Sequence, residues 1–464
     1  MSTTATSTAP ATATGVASWR WTIASMTLVT AFFAVFVRVG GDWDWLVALG
    51  DDIRAAMHVP DGVPFAASDT AGWHNVPVLA QLVASVVHDL GEQATVLAHV
   101  VVVVVTMYVL ARTARSGGAS DRYTAGALLA LGAGTLATLG IVRAQTLSLV
   151  PFALLLALVA SQARHPDRRI WWAVPLIAVW GNLHGAALLG VCVLGAYLVV
   201  ERIRSDLRLA TAVGLSSLLA LCVTPELWRT PTYYAEVFDN VSAQRGEGLW
   251  ARPSLDMPFD VVMVLSAAVL LALFLRSRRR PWEYVAVLGL CLATASAARH
   301  GTWLLMLLVV LAGSRRVEGG RAAEVRAGRR PARLAVFAVG IPLVVALPIV
   351  VVRGDAVLGA PPDVVDEVAR VAGDGVVLAP APLSESLAVA GVVLWAGNPL
   401  DAFSHPVQAA YLDFLDGDEG AAVAVAGSDV VVAQEGSAQA DLMSGDPAFE
   451  PRDCGETWTC YVRR

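Results

Sequence analysis

The sequence contains no lysine, so its 33 basic residues are all arginine, set against 39 acids. Charge of either sign is scarce, at 16% of the chain, while 56% is hydrophobic and the mean hydropathy is +0.61. So little charge excludes a soluble globule. Nucleic acid is not an expected partner, because the arginines are scattered loop anchors and not one face with interleaved aromatics. Cysteine is sparse too, at 5. Cys192, Cys222 and Cys291 fall in apolar runs and read as buried packing residues. Cys454 and Cys460, in CGETWTC, could close a disulfide in an oxidising compartment. No second pair accompanies them, so a standard zinc pattern is excluded. The apolar run after Arg20 lacks a small-residue cleavage site and reads as a retained anchor, with residues 1–19 a disordered cytoplasmic tail. An Ala-, Val- and Arg-rich chain without lysine has the look of a high-GC, actinobacterial host.

What is present in quantity is long apolar runs. Segments of roughly 15–20 residues recur from Trp21 to Val352, long enough to cross a hydrocarbon core of about 30 Å as helices. About eleven helices are expected, near 21–40, 92–111, 123–141, 145–163, 170–182, 185–200, 209–224, 259–275, 283–298, 301–314 and 333–352. The runs 170–182 and 301–314 are short for a span. Arginine-rich loops stay on the cytoplasmic side. With the N-terminus inside, Arg112 with Arg115 and Arg122, RHPDRR (164–169), ERIRSDLR (201–208), RSRRR (276–280) and SRRVEGGRAAEVRAGRRPAR all fall inside. The expected location is therefore a multi-pass protein of the plasma membrane with its C-terminal region extracytoplasmic.

Residues 353–464 differ from the rest, with 18 acids against 5 bases. PPDVVDEVARVAGDG and HPVQAAYLDFLDG have helical periodicity, whereas VVLAP, AGVVLWAGNPLD and SDVVVAQ read as strands. The alternation predicts a small, separate α/β domain with a parallel sheet. It contains no GxGxxG, P-loop or nucleophile elbow, and it reads first as a solvated cap or partner-binding module. The fold class expected for the whole chain is an all-α polytopic membrane bundle, residues 20–352, followed by this extracytoplasmic α/β domain.

Chemistry concentrates in the first outer loop, residues 41–77: GDWDWLVALGDDIRAAMHVPDGVPFAASDTAGWHNVP. Asp42 and Asp44, then Asp51 and Asp52, make two acid pairs. Such acids can deprotonate a hydroxyl or hold a divalent cation, Mg or Mn, through hard oxygen ligands. A solvated capping loop with Trp43 and Trp45 anchored at the interface accounts for the same residues. WLVALGDDIRAAM carries its apolar residues on one face, as suits a helix lying on a leaflet. His74 is a candidate ligand-binding residue, though a lone histidine is more often structural. Further polar groups sit where apolar helices emerge on that same side: Arg143 and Gln145, Asn182 and His184, Arg299 and His300. Outer arginines run against the positive-inside bias, and ionisable groups at such depth usually face a wet cavity or protein interior. Guanidinium groups there suit an anionic phosphate; the plain alternative for Asn182 is a tight hairpin turn. The second long outer loop, 225–258, mixes aromatics with Arg245 and acids, as sugar stacking or membrane anchoring would require.

These motifs resemble the GT-C superfamily of multi-spanning glycosyltransferases. A bacterial subgroup carries an early signature D-x-W-W-H-L-x-x-G-E-x-I followed by W-x-N-x-E-W-L. DWDWLVALGDDI matches through Asp42, Trp45, Gly50 and Asp51, and WHNVPVL through Trp73, Asn75 and Leu79. RAQTLSL (143–149), WGNLHGAALLG (180–190) and TPELW (224–228) extend the likeness over most of the chain. Asp44, Leu46 and Pro77 depart from it, standing where the subgroup has Trp, His and Glu. The resemblance implies sugar transfer from a polyprenyl-phosphate carrier to an acceptor on the extracytoplasmic face. It implies Asp42 as catalytic base or metal contact, with Asp51 second. Loss of the family His and Glu leaves open a non-catalytic scaffold, whose acidic C-terminal domain would recruit envelope-assembly proteins. A flippase or transporter would need ionisable groups along mid-helix, which are nearly absent.

Overall fold

The computed structural model describes residues 16–313, 331–354, 361–455 and 457–464. The start of the expected N-terminal tail and most of the basic stretch before Arg333 lie outside the described residues. Every expected apolar segment contains a helix: Arg20–Phe36, Glu92–Ser116, Asp121–Gly134, Leu149–Arg164, Ala173–Gly181, Ala187–Val200, Leu207–Ala220, Pro258–Leu275, Pro281–Ser296, Gly301–Ala312 and Pro331–Val352. Among the described residues, four stretches are long and apolar enough to cross a membrane: Glu92–Ser116, Ala144–Arg164, Pro258–Leu275 and Arg333–Val352. The short Gly301–Ala312 helix is buried along its whole length. A helix apolar on every face belongs inside a bundle, and this one packs among the helices starting at Glu92, Asp121, Pro258 and Pro281.

The bundle has two chemically distinct ends. At one end arginines close the loops. Arg115 donates to the Ser18 carbonyl at 3.0 Å, Arg164 to Ser116 Oγ at 3.0 Å, and Arg280 pairs with Glu201. Arg279 donates to the carbonyls of Phe274, Leu311 and Ala312, capping two helix C-termini. The other end carries two helices outside the bundle proper, Asp42–Ala56 and Val78–His88, together with the C-terminal domain. Asp42–Ala56 is the amphipathic helix the sequence predicts. Val78–His88 was not expected. These two helices cross at Gly50, where any Cβ would run into the Gln81 carbonyl. The glycine is thus required by a close approach of two backbones.

The C-terminal domain contains helices Pro362–Ala372, Leu383–Val389 and His405–Asp416. Its strands are β1 (Val377–Leu378), β2 (Val430–Gln434), β3 (Phe449–Asp453) and β4 (Trp458–Arg463). The sheet order is β1-β2-β4-β3. Only β1 and β2 are parallel; β4 runs antiparallel to both β2 and β3. The expected parallel sheet is therefore corrected to a mixed one, because the chain ends in a hairpin whose Cys454 and Cys460 form a disulfide (Cα–Cα 5.7 Å). AGVVLWAGNPLD, read as a strand, contributes a single bridging residue. Leu394 bridges Val377 on one side and Ala66 of the first loop on the other. Leu394 N donates to the Phe65 carbonyl (2.8 Å), Ala67 N to the Leu394 carbonyl (2.7 Å) and Ser68 N to the Trp395 carbonyl (3.2 Å). The first loop thus covers what would be an open sheet edge. Ala48 of the Asp42–Ala56 helix joins the same apolar cluster as Val377, Leu383 and Val430.

Candidate active site

Three separate chain segments converge on Asp42. The chain leaves the first helix at Val37, and Arg38 forms a short parallel bridge with Ile141. Arg38 N donates to the Gly140 carbonyl (2.9 Å) and Val142 N to the Arg38 carbonyl (2.8 Å). Gly41 then turns with φ +60°, a region that glycine enters without a Cβ penalty. The result sets Arg143 Nε 3.9 Å from the Asp42 carboxylate, both side chains partly exposed. Arg299 arrives from the third segment. Gln145 Nε2 donates to the Arg299 carbonyl (3.4 Å), Ala298 N donates to the Ala251 carbonyl (2.9 Å), and the guanidinium lies 4.4 Å from the centre of the Trp250 ring. Asp42 and Arg143 are both within electrostatic range of Arg299. One carboxylate and two guanidinium groups from distant hairpins thus share one site.

A second cluster lies on the WHN stretch. Trp73 Nε1 donates to Asp401 of the C-terminal domain (3.2 Å). His74 Nδ1 is 3.1 Å from Glu226, and Nε2 is 4.0 Å from Glu236. Asn75 and Gln81 exchange side-chain amide bonds, which explains why an asparagine two residues after the tryptophan holds this turn. Burial pushes the Asp401 and Glu236 carboxyls above the usual carboxylate range. Tyr233, from the Thr230–Asp239 helix, interacts with both Asp401 and Arg299 and packs on the hairpin at Gly185, so it joins the two clusters.

Most of the other candidate residues are engaged in contacts within the protein. Asp44 is 7% exposed and accepts from Ser386 Oγ (2.9 Å); burial raises its carboxyl even so. Asp51 accepts from Ser85 and lies 3.7 Å from Arg54, two turns along the helix from Asp42, and is not brought to the cluster. Asn182 donates to the carbonyls of Ala178 and Val223, a hairpin-holding role. His184 Nδ1 accepts from Ala186 N (3.1 Å), and burial, with Arg299 and His300 nearby, lowers its value to about 3, so the ring is neutral at physiological pH. Among the described residues His300 Nδ1 finds no hydrogen-bond partner. Arg245 pairs with Asp413 (2.8 Å) and ties the 225–258 loop to the C-terminal domain. No group of three or more His, Cys, Asp or Glu side chains among the described residues is arranged to hold a metal ion. Asp42 faces Arg143, and Asp44 is engaged by Ser386.

Sequence reasoning missed Glu385 and Asp401, both contributed by the C-terminal domain. Glu385 is 1% exposed, accepts from Asn398 Nδ2 and from Ser384 Oγ (3.0 Å), and feels the charge of Asp42. No motif marks either acid. An apolar groove of about 340 Å³ opens between the Val78–His88 and Ala173–Gly181 helices. Leu79, Leu82, Val179 and Val223 line it, and it ends at Asn182 and Pro225, next to Glu226.

Compared with solved structures, the chain is similar to ArnT from Cupriavidus metallidurans. In its apo state that protein aligns with TM-score 0.52 and 15% identity, over 96% of this chain and 98% of ArnT. The structure of ArnT bound to undecaprenyl phosphate aligns with TM-score 0.51 and 14% identity, over 95% and 97%. The chain has the GT-C fold. The mycobacterial arabinofuranosyltransferase AftD also aligns, with TM-score 0.51 and 16% identity, over 96% of this chain but 41% of AftD. No family model and no curated protein matches the sequence. The GT-C likeness thus rests on the course of the backbone, and it accords with a membrane location for the apolar helices.

Proposed function

We infer that the protein is a membrane glycosyltransferase that moves a sugar from a polyprenyl-phosphate-linked donor to an acceptor hydroxyl. The observation that carries this reading is the convergence of Asp42, Arg143 and Arg299 from three hairpins at one end of a GT-C fold. That end faces the extracytoplasmic side, because the arginine-rich loops gather at the opposite one. A structure of ArnT holds undecaprenyl phosphate, which supports a carrier of that class here. In this reading the apolar groove beside Asn182 seats the prenyl chain, and the guanidinium groups take the phosphate.

Asp42 accepts the proton of the acceptor hydroxyl as its oxygen attacks the anomeric carbon. The bond from that carbon to the phosphate oxygen breaks, and the phosphate leaves with the electron pair. Attack from the face opposite the phosphate inverts the anomeric configuration. Arg143 and Arg299 stabilise the charge gathering on the leaving phosphate, where preorganised donors have most effect. The 3.9 Å separation leaves Arg143 only loosely engaged by Asp42 and free to turn toward phosphate. His184, being neutral, contributes a hydrogen bond and no charge.

The test is transfer from a panel of polyprenyl-phosphate sugars by the protein in lipid nanodiscs, comparing wild type with Asp42→Asn. Loss of a general base of this kind costs roughly 10²–10⁴ in kcat. Turnover retained by the variant would remove Asp42 from the mechanism. Absence of binding and turnover across a broad panel would favour a non-catalytic scaffold.

A further inference from the structure

The chain before residue 353 supplies Asp42, Arg143 and Arg299, but the wall behind Asp42 belongs to the C-terminal domain. The Leu383–Val389 helix packs directly on the Asp42–Ala56 helix. At their junction, Pro382 lies 3.8 Å from the position a Cβ on Gly41 would take. One turn on, Ser386 Oγ holds Asp44 at 2.9 Å. Glu385 sits between these contacts and is sealed from water. Its carboxyl accepts from Asn398 and Ser384, and Ser384 in turn contacts Tyr411 Oη at 3.2 Å. Tyr411 Oη donates to the Ala379 carbonyl, also at 3.2 Å. Among the described residues no cation pairs with Glu385, whereas a buried charge is ordinarily paired.

We propose that Glu385 is a positioning residue of the site. Its carboxyl stands behind Asp42 and sets how strongly the Asp42–Arg143–Arg299 cluster holds an anionic headgroup. The proposal rests on the functional reading above and extends it to a residue of the C-terminal domain. The groups facing Glu385 are Asp42 from the loop helix, Tyr411 from the His405–Asp416 helix, and the neutral Asn398 and Ser384. Asp44, also on the loop helix, is held one residue away through Ser386. Burial, reinforced by the Asp42 charge, raises the Glu385 carboxyl to about 7. Below that pH it is neutral, and the two arginines face a single carboxylate. Above it a second negative charge appears behind the first, and a phosphodiester is bound less tightly.

The test uses the full chain in lipid nanodiscs and a synthetic polyprenyl methyl phosphodiester, whose single charge is constant from pH 5 to 9. Binding is measured at pH 5.5 and 8.5 for wild type and Glu385→Gln, which keeps a neutral acceptor for Asn398 and Ser384. The two proteins should bind alike at pH 5.5. At pH 8.5 wild type should be weaker by roughly three- to tenfold, the effect of one added charge in a partly screened site. A wild-type to variant ratio that is the same at both pH values overturns the proposal and leaves Glu385 structural. Failure of wild type to bind at either pH would sink the functional reading instead. Should Glu385→Gln not fold, Glu385→Ala takes its place, and proton uptake is read as the excess of wild type over that variant, because Asp44, Asp401 and Glu236 titrate in both. Binding at pH 7 should be accompanied by net proton uptake, read by calorimetry in buffers of different ionisation enthalpy, and its absence overturns the proposal.

Discussion

At Glu385 a carboxyl is held among neutral donors, and the burial that seals it behind Asp42 also links stability to pH. Its folded value of about 7 lies above the ordinary 4.5, so the native state binds the proton more tightly than the unfolded chain. The associated stability is present in full below the ordinary value and is lost as pH rises through the folded one. The loss amounts to about 3 kcal/mol at most. Asp44, Asp401 and Glu236 are raised in the same direction, so wild type alone would blend four effects. The difference from Glu385→Gln isolates one of them. The melting temperature of wild type should fall relative to that variant between pH 5 and 8. Parallel melting curves would show that Glu385 does not titrate in this window. Asp42, Arg143 and Arg299 were legible in the sequence because loop basicity assigns each to the same side of a bilayer. Glu385 and Asp401 were not, because SESLAV and NPLDAF look like any polar turn. What makes these acids unusual is burial by segments hundreds of residues away.

Among the elements, the pair formed by Asp42–Ala56 and Val78–His88 carries the site, and Gly50 is its contact point. A side chain there meets the Gln81 backbone and the Ser85 Cβ, neither of which can swing aside. Gly50→Leu should separate the helices at a cost of roughly 3 kcal/mol or more, the range of severe overpacking. It should be read as a lower melting temperature together with weakened phosphodiester binding, since Asp42 begins the same helix. Normal melting and binding would mean that the helices have room that their packing does not show. The resemblance of GD in ALGDD to the subgroup's motif therefore has a packing reason at its glycine. The neighbouring Asp51 is turned toward Ser85 and Arg54. Hydropathy revealed the long helices and also the apolar Gly301–Ala312 segment, whose shortness is explained by its burial within protein. It did not reveal Val78–His88, whose 11 residues are too few for a span and whose place depends on Gly50.

Across the whole molecule the boundary near residue 353 is compositional more than mechanical. Acid-rich sequence begins there, but the sheet of the C-terminal domain takes its edge segment from Phe65–Ser68, and its core takes Ala48. Arg245–Asp413, Trp73–Asp401 and the bond from Val241 N to Gln408 add further ties. A chain truncated after Arg353 should keep its bundle helices but expose the 41–77 loop. Limited proteolysis should cut that loop in the truncated protein and spare it in the intact one, and phosphodiester binding should be lost. Equal protection of the loop in both proteins would show that it orders itself without the domain.

Trp73 and Asp401 are separated by 328 residues of chain. At about 5–20 residues per second, a ribosome needs of the order of half a minute to make the second partner after the first. Throughout that interval the membrane helices can enter the bilayer one after another, while the first loop waits with its backbone donors and acid pairs uncovered. Closure of the site is consequently among the last events in the life of the nascent chain. A prematurely terminated copy reaches the membrane with its Asp42 in place and nothing behind it.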